Sequence, residues 1–282
     1  MQLTTAVYTP DPQLRRPGRL VRGMIRDLSA SRELAWRICA RNIASQYRQT
    51  ALGYVWAVIP PLMTSLVFIL LNSANLLRTG ETGIPYPAYV VLGTVSFGLF
   101  FDALTAPLSA VGGARGMLSK INFPHEALML AAVGQILFNF AVKVTLVAAV
   151  LVAFRVPVQP TAVLAAIPLA GLLIAGVALG VLLIPVGALF QDVVQSLAVV
   201  GTGLMFLTPA AYPPPREGLL GFLTAWNPLT PLIMAARDLI VLGSSTYMTT
   251  TIVVGAAAIT LLLLAWVVFR LAMPILIERM GS

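Results

Sequence analysis

The sequence predicts an all-α integral membrane protein with six transmembrane helices, an N-terminal amphipathic interface helix and a re-entrant helical pair before the last span. Three observations carry this reading. Hydrophobic residues make up 59% of the 282, charged residues 10%, and mean hydropathy is +0.91, whereas a soluble domain carries about 25% charged residues. Apolar runs long enough for the roughly 20 residues that a bilayer core demands recur along the chain. Finally, nine of the 18 basic residues, from Arg15 to Arg48, precede the first such run, as the positive-inside rule expects of a cytoplasmic flank.

The elements follow in order. Residues 1–30 combine Pro10, Pro12 and Pro17 with arginines and cannot bury enough apolar area to order themselves; a mobile basic cytoplasmic arm is expected, helical only at its end. No apolar core of a cleavable signal peptide occurs in it. Over 31–49, Trp36, Cys39, Ala40, Ile43 and Tyr47 recur at helical spacing while Arg37, Arg41 and Arg48 share another face, which predicts the interface helix. Cys39, the one cysteine, allows no intrachain disulfide and is expected to pack.

Residues 31–282 are then expected to form a transmembrane domain, with spans at 52–77, 86–110, 127–154, 162–189, 192–212 and 250–273. The fourth and fifth are too long together for one crossing, so a tight turn is placed at Gln191 and Asp192. Six spans return Arg270, Glu278 and Arg279 to the side of the N-terminal arginines. The loops at Arg78 with Glu81, and at Arg155, become external and less basic. Residues 112–126 are too polar to cross and too long for a tight turn, so they predict a short cytoplasmic helix ended at Pro124, with Phe123 as an apolar anchor. Between spans five and six, Pro209 to Gly243 contains Pro213, Pro214, Pro215, Pro228 and Pro231. Its two short apolar pieces, Gly218 to Trp226 and Pro231 to Leu242, predict the re-entrant pair, with a flat external loop as the alternative.

The chemistry is sparse. No GxxxxGK[ST] loop is present, so the chain does not cradle ATP phosphates in that way. His125 beside Glu126 does not make a metal site, and no span holds paired carboxylates. The basic flank lacks a soluble module that would present it to nucleic acid. Asp102 and Lys143 fall inside spans two and three, where charge is expensive; they pair with each other or face the pathway.

Three stretches carry a resemblance: Tyr47-Arg48-Gln49-Thr50-Ala51-Leu52-Gly53-Tyr54-Val55-Trp56-Ala57, Lys120-Ile121-Asn122-Phe123-Pro124-His125-Glu126, and Asn227-Pro228-Leu229-Thr230-Pro231 followed by Ala236-Arg237-Asp238. In this order among the spans, the chain from about residue 31 resembles the permease family of polysaccharide-export ABC transporters, which handle O-antigen, teichoic acid and capsule-like polymers. The resemblance implies a half-transporter in a bacterial cytoplasmic (inner) membrane, with both termini cytoplasmic. Its implied partners are a second copy of itself, two copies of a separate ATP-binding subunit that hold ATP and Mg, a lipid-linked polysaccharide and membrane lipids. No cofactor is expected in this chain. Lys120, Phe123, Pro124, His125 and Glu126 are expected to couple to the ATPase.

Arg41 and Arg48 are expected either to hold the pyrophosphate of a lipid-linked substrate or to anchor head groups. The aromatics Phe97, Phe100 and Phe101 either line a sugar pathway by stacking or pack among helices and lipid. A drug or small-lipid exporter of related architecture, and a membrane enzyme acting on lipid-linked sugar, are the alternatives to polysaccharide export.

Overall fold

The computed structural model describes residues 17–48, 50–76, 82–118, 123–215 and 217–281, and every regular element among them is helical. In chain order these are α1 (Pro17–Ala30), α2 (Arg32–Arg48), α3 (Ile59–Ser73), α4 (Tyr86–Gly113), α5 (Arg115–Leu118), α6 (Glu126–Ala153), α7 (Ala166–Gly187), α8 (Gln191–Leu207), α9 (Gly218–Trp226), α10 (Leu229–Val241) and α11 (Met248–Gly281). Short 3₁₀ turns at Gly53–Ala57 and Pro160–Ala165 precede α3 and α7. Residues 1–16 of the expected arm lie outside the described residues, and so do Gln49, Arg78, Glu81, Arg216 and the coupling candidate Lys120.

Four helical stretches are long and apolar enough to cross a bilayer: Tyr86–Gly113, Glu126–Ala153, Pro160–Gly187 and Met248–Arg279. A fifth arises if α9 and α10, bent by 84° at their break, count as one broken span. The remaining two expected spans contain shorter helices. The apolar run over 52–77 is divided because residues 53–57 wind as a 3₁₀ turn and α3 starts afresh with prolines in its first turn, where their missing N–H groups cost nothing. α8 stops at Leu207 because the backbone at Thr208 becomes extended. The break between the fourth and fifth apolar runs falls just before Gln191, where α7 has ended at Gly187.

α4 sits at the centre of the bundle, packed by α7, α6 and α3. Its contact with α7 is backbone to backbone. A Cβ at Gly176 would lie 2.5 Å from the Phe100 carbonyl oxygen, and one at Gly180 2.4 Å from that of Leu104. Small residues four apart let membrane helices approach in this way, because apolar burial gives no advantage over lipid and close van der Waals contact must supply the attraction. α11 covers the other side of α7, with Phe269 and Met273 buried in the same core as Val181 and Ile184.

Two helices make up the described part of the N-terminal arm and the segment that follows it. Of the arm over 1–30, Pro17–Ala30 is helix, tied to the bundle through Asp27. In α2, Cys39 and Tyr47 are buried and Ile43 half-buried, but Trp36 is 72% exposed and Ala40 is exposed. The buried stripe instead centres on Ala35, Ile38 and Cys39, because Gly134 of α6 leaves room there: a Cβ on it would stand 2.9 Å from the Cys39 sulfur.

Candidate functional site

A polar cleft opens between α2, α4 and α6, with a volume of about 470 Å³. Helical spacing assembles it. α4 contributes Asp102, Thr105 and Ser109, one stripe at intervals of three and four residues, and such positions share a helix face. α6 contributes Gln135 and Asn139, four apart, and α2 contributes Asn42, Ser45 and Gln46. The Gln135 amide donates to the Gln46 side-chain oxygen at 2.8 Å, and the Tyr47 hydroxyl donates to the Asn139 side-chain oxygen at 2.8 Å. A smaller pocket of about 190 Å³ adjoins it toward the C-terminal end of α4 and shares Asn42, Ser109 and Ala110. Arg41 and Gly113 line this second pocket.

At the upper end of the cleft Lys143 donates to Asp102 at 2.5 Å. The two sequence candidates are thus brought together as an ion pair. Its halves differ in exposure: the Asp102 side chain is 36% exposed and lines the cleft, while that of Lys143 is 10% exposed and stands behind it.

The aromatic candidates are placed differently from one another. Phe97 and Phe100 are buried in the chain's own core with Leu172, Leu197, Leu229, Leu232 and Ile233. Phe101 is half-buried, stacked on Phe97 with centroids 6.4 Å apart, and its ring edge occupies the space a Cβ on Gly201 of α8 would fill. These rings join α4 to α7, α8 and α10 and none of them borders the cleft. Of the arginines, Arg41 and Arg48 are both exposed, Arg41 at the smaller pocket and Arg48 at the C-terminus of α2.

Around the loop before α6, Phe123, Pro124 and His125 are half-buried, with the Phe123 and His125 rings 5.9 Å apart. Glu126 turns inward. It is 6% exposed and accepts from Arg270 of α11 at 2.9 Å, while the other guanidinium nitrogen of Arg270 donates to Asp27 of α1 at 2.6 Å. One arginine therefore fastens α1, α6 and α11, satisfying two carboxylates with charge-assisted bonds. Nearby, Arg115 of α5 donates to the Ala188 carbonyl at 2.7 Å, a cation at the C-terminal end of α7 where the helix dipole favours it.

At the opposite end, Arg237 of α10 is 4% exposed. Its guanidinium lies 3.5 Å above the Tyr89 ring centroid and donates to the Ala210 carbonyl at 2.7 Å. Gly93 of α4 makes the space: a Cβ there would meet the Ala210 oxygen at 1.8 Å and an Arg237 nitrogen at 2.3 Å. Asn227 supports the same corner. It donates to the Thr208 hydroxyl at 2.8 Å and accepts from the Leu229 N–H at 2.9 Å, so it ties the extended chain after α8 to the start of α10. The carbonyls at the end of α10 are taken by the Gln159 N–H and the Thr161 hydroxyl.

Sequence reasoning singled out Asn227 and Arg237 only as parts of a motif, and it did not find the cleft, the Arg270 bridge or the Gly176–Gly180 pair. For the cleft a signal existed in the polar positions spaced along three separate helices, although their convergence is tertiary. Two comparisons bear on what the cleft serves. Residues 33–241 match the ABC-2 type transporter family, a stretch that runs from α2 through α10 and includes every cleft residue. The chain is also 24% identical over 220 residues to the O-antigen export system permease protein RfbA of Myxococcus xanthus, covering 74% of this chain and 81% of that relative.

Proposed function

Since this chain belongs to the ABC-2 type transporter family, we propose that it is the permease of an exporter that carries lipid-linked polysaccharide, of O-antigen type, out of the cytoplasm. It is a multi-pass transporter membrane subunit and not an enzyme, and the family implies an ATP-binding partner subunit. In our reading two copies assemble in the cytoplasmic membrane with two such subunits, which hold ATP and Mg. Six crossings, with α3 and α8 as the first and fifth, leave both termini cytoplasmic; α2 lies in the inner interface and α9 with α10 re-enters from outside.

The observation that carries the reading is the polar cleft inside an otherwise apolar bundle. A polymer rich in hydroxyl groups needs hydrogen-bonding partners along its route, because burying such groups unpaired costs about 1–3 kcal/mol each. The cleft supplies amides and hydroxyls at the α2, α4 and α6 faces, and Asp102 with Lys143 marks its deep end. Exposed Arg41 and Arg48 lie where the pyrophosphate of a carrier lipid would enter, and the arginine fork matches phosphate oxygens. Phe123, Pro124 and His125 form the surface offered to the ATPase, braced from inside by Glu126 on Arg270, and Lys120 precedes them in the sequence of the same loop.

The test is reconstitution of this chain with its ATP-binding partner in sealed vesicles, followed by ATP-dependent transfer of undecaprenyl-pyrophosphate-linked glycan to the opposite leaflet. Transfer that requires both subunits and hydrolysable ATP is the expected result. ATP-dependent transfer of ordinary phospholipid, with none of the glycan carrier, would overturn it.

A further inference from the structure

We infer that the cleft selects uncharged, hydroxyl-rich glycans and refuses acidic ones, an inference that rests on the export reading above and adds the class of sugar to it. Its volume of about 470 Å³ falls within the range of about 300–1,000 Å³ typical of small-molecule sites. Its walls carry four carboxamides, Asn42, Gln46, Gln135 and Asn139. A carboxamide carries two donor hydrogens and an oxygen with two lone pairs on one planar group, so beyond the Gln135–Gln46 and Tyr47–Asn139 bonds these side chains keep donors and acceptors for a pair of neighbouring sugar hydroxyls. The hydroxyls of Thr105 and Ser109, which donate their own protons to the Phe101 and Thr105 carbonyls, add acceptors for sugar hydroxyls.

Charge makes the second half of the argument. Among the described residues no lysine, arginine or histidine lines the cleft, and the charged side chain that does is the Asp102 carboxylate. Lys143 neutralises the pair overall but is the more buried partner, with its ammonium committed to Asp102 at 2.5 Å. A ligand in the cleft therefore meets the carboxylate first. A hydroxyl donates to it, whereas a sugar carboxylate is repelled, and like charges brought together at a binding surface are a strong means of rejection. An exposed cation lies beside it, since Arg41 lines the adjoining pocket of about 190 Å³ and not the cleft. Anionic groups are thus received at one end and sugar rings at the other.

The test uses the complete transporter in nanodiscs, with two synthetic probes of equal length: undecaprenyl pyrophosphate bearing neutral hexoses, and the same carrier bearing alternating glucuronic acid. The reading is the probe concentration giving half-maximal stimulation of ATP hydrolysis. The neutral probe is expected to act at a concentration about tenfold lower or better, corresponding to about 1.4 kcal/mol. Gln135→Leu is expected to raise that concentration for the neutral probe about tenfold, through loss of the hydrogen bonds the amide makes to sugar. Asp102→Asn combined with Lys143→Met removes both charges without leaving an unpaired ion, and is expected to bring the two probes close to parity. Equal response of the unaltered transporter to both probes, or an unchanged response of Gln135→Leu to the neutral one, would overturn the selectivity and leave export standing. Stimulation by phospholipid and by neither glycan would overturn the export reading itself.

Discussion

His125 stands just ahead of α6, with the Phe123 ring on one side and Glu126, Arg270 and Asp27 close by. Burial pushes its imidazole below the ordinary value; Glu126 and Asp27 pull it back up and Arg270 presses it down further. The folded chain thus refuses a proton that the unfolded chain accepts near pH 6.5. As pH falls through that value the unfolded state binds more protons, so stability drops until the folded-state pKa is reached and then levels. The purified permease should accordingly lose thermal stability between pH 7 and the folded-state pKa, and His125→Gln should remove that part of the loss. Parallel melting curves for the two proteins would reject this account. Arg237 shows the limit of reading single residues from sequence. Arg, Asp and their motif were visible, but the Tyr89 ring and the Ala210 carbonyl that hold the guanidinium come from α4 and from the chain after α8.

Among the elements, α4, α6, α7 and α11 were legible because a long apolar run has few other uses, and the short pieces before the last span were legible because proline and asparagine bound them. Faces were less legible than lengths. The α4 aromatics looked equally suited to a pathway or a core, and only packing against α7, α8 and α10 places Phe97 and Phe100 inside. The α7 glycines set the closest approach of α7 to α4. Gly180→Leu should lower the yield of folded protein severely, since even the Cβ would sit 2.4 Å from a backbone oxygen that cannot move aside. Gly203 of α8, where an added Cβ meets nothing within 4 Å, supplies the control: Gly203→Leu should be tolerated, and equal losses from both would contradict the packing argument. The loop before α6 is tested through function. Phe123→Ala should leave the permease inserted but weaken recovery of the ATP-binding subunit and uncouple hydrolysis from export, because an interface anchor of this size contributes about 2 kcal/mol or more.

For the whole molecule the consequential question is which side each loop occupies. Cys39 is buried, so a Cys39→Ala background gives a clean start for labelling. Cysteines placed at Arg155 and at Lys120 should react with an impermeant reagent from opposite sides of the membrane; labelling from the same side would refute the six-crossing arrangement. The overall charge bias was readable from composition. The docking of α1 was not, because its partner is 243 residues away in sequence.

That separation bears on how the protein is made. Asp27 and Glu126 leave the ribosome long before Arg270, which lies 144 residues beyond the second of them. During that interval Asp27 has only its exposed neighbour Arg26 and Glu126 lacks its Arg270 partner, and a carboxylate is costly to bury without its partner. α6 must therefore be inserted with its first residue still wet, and α1 must wait undocked at the membrane. Translation of residue 270 supplies the cation that joins α1, α6 and α11, so this end of the bundle closes only late in biogenesis.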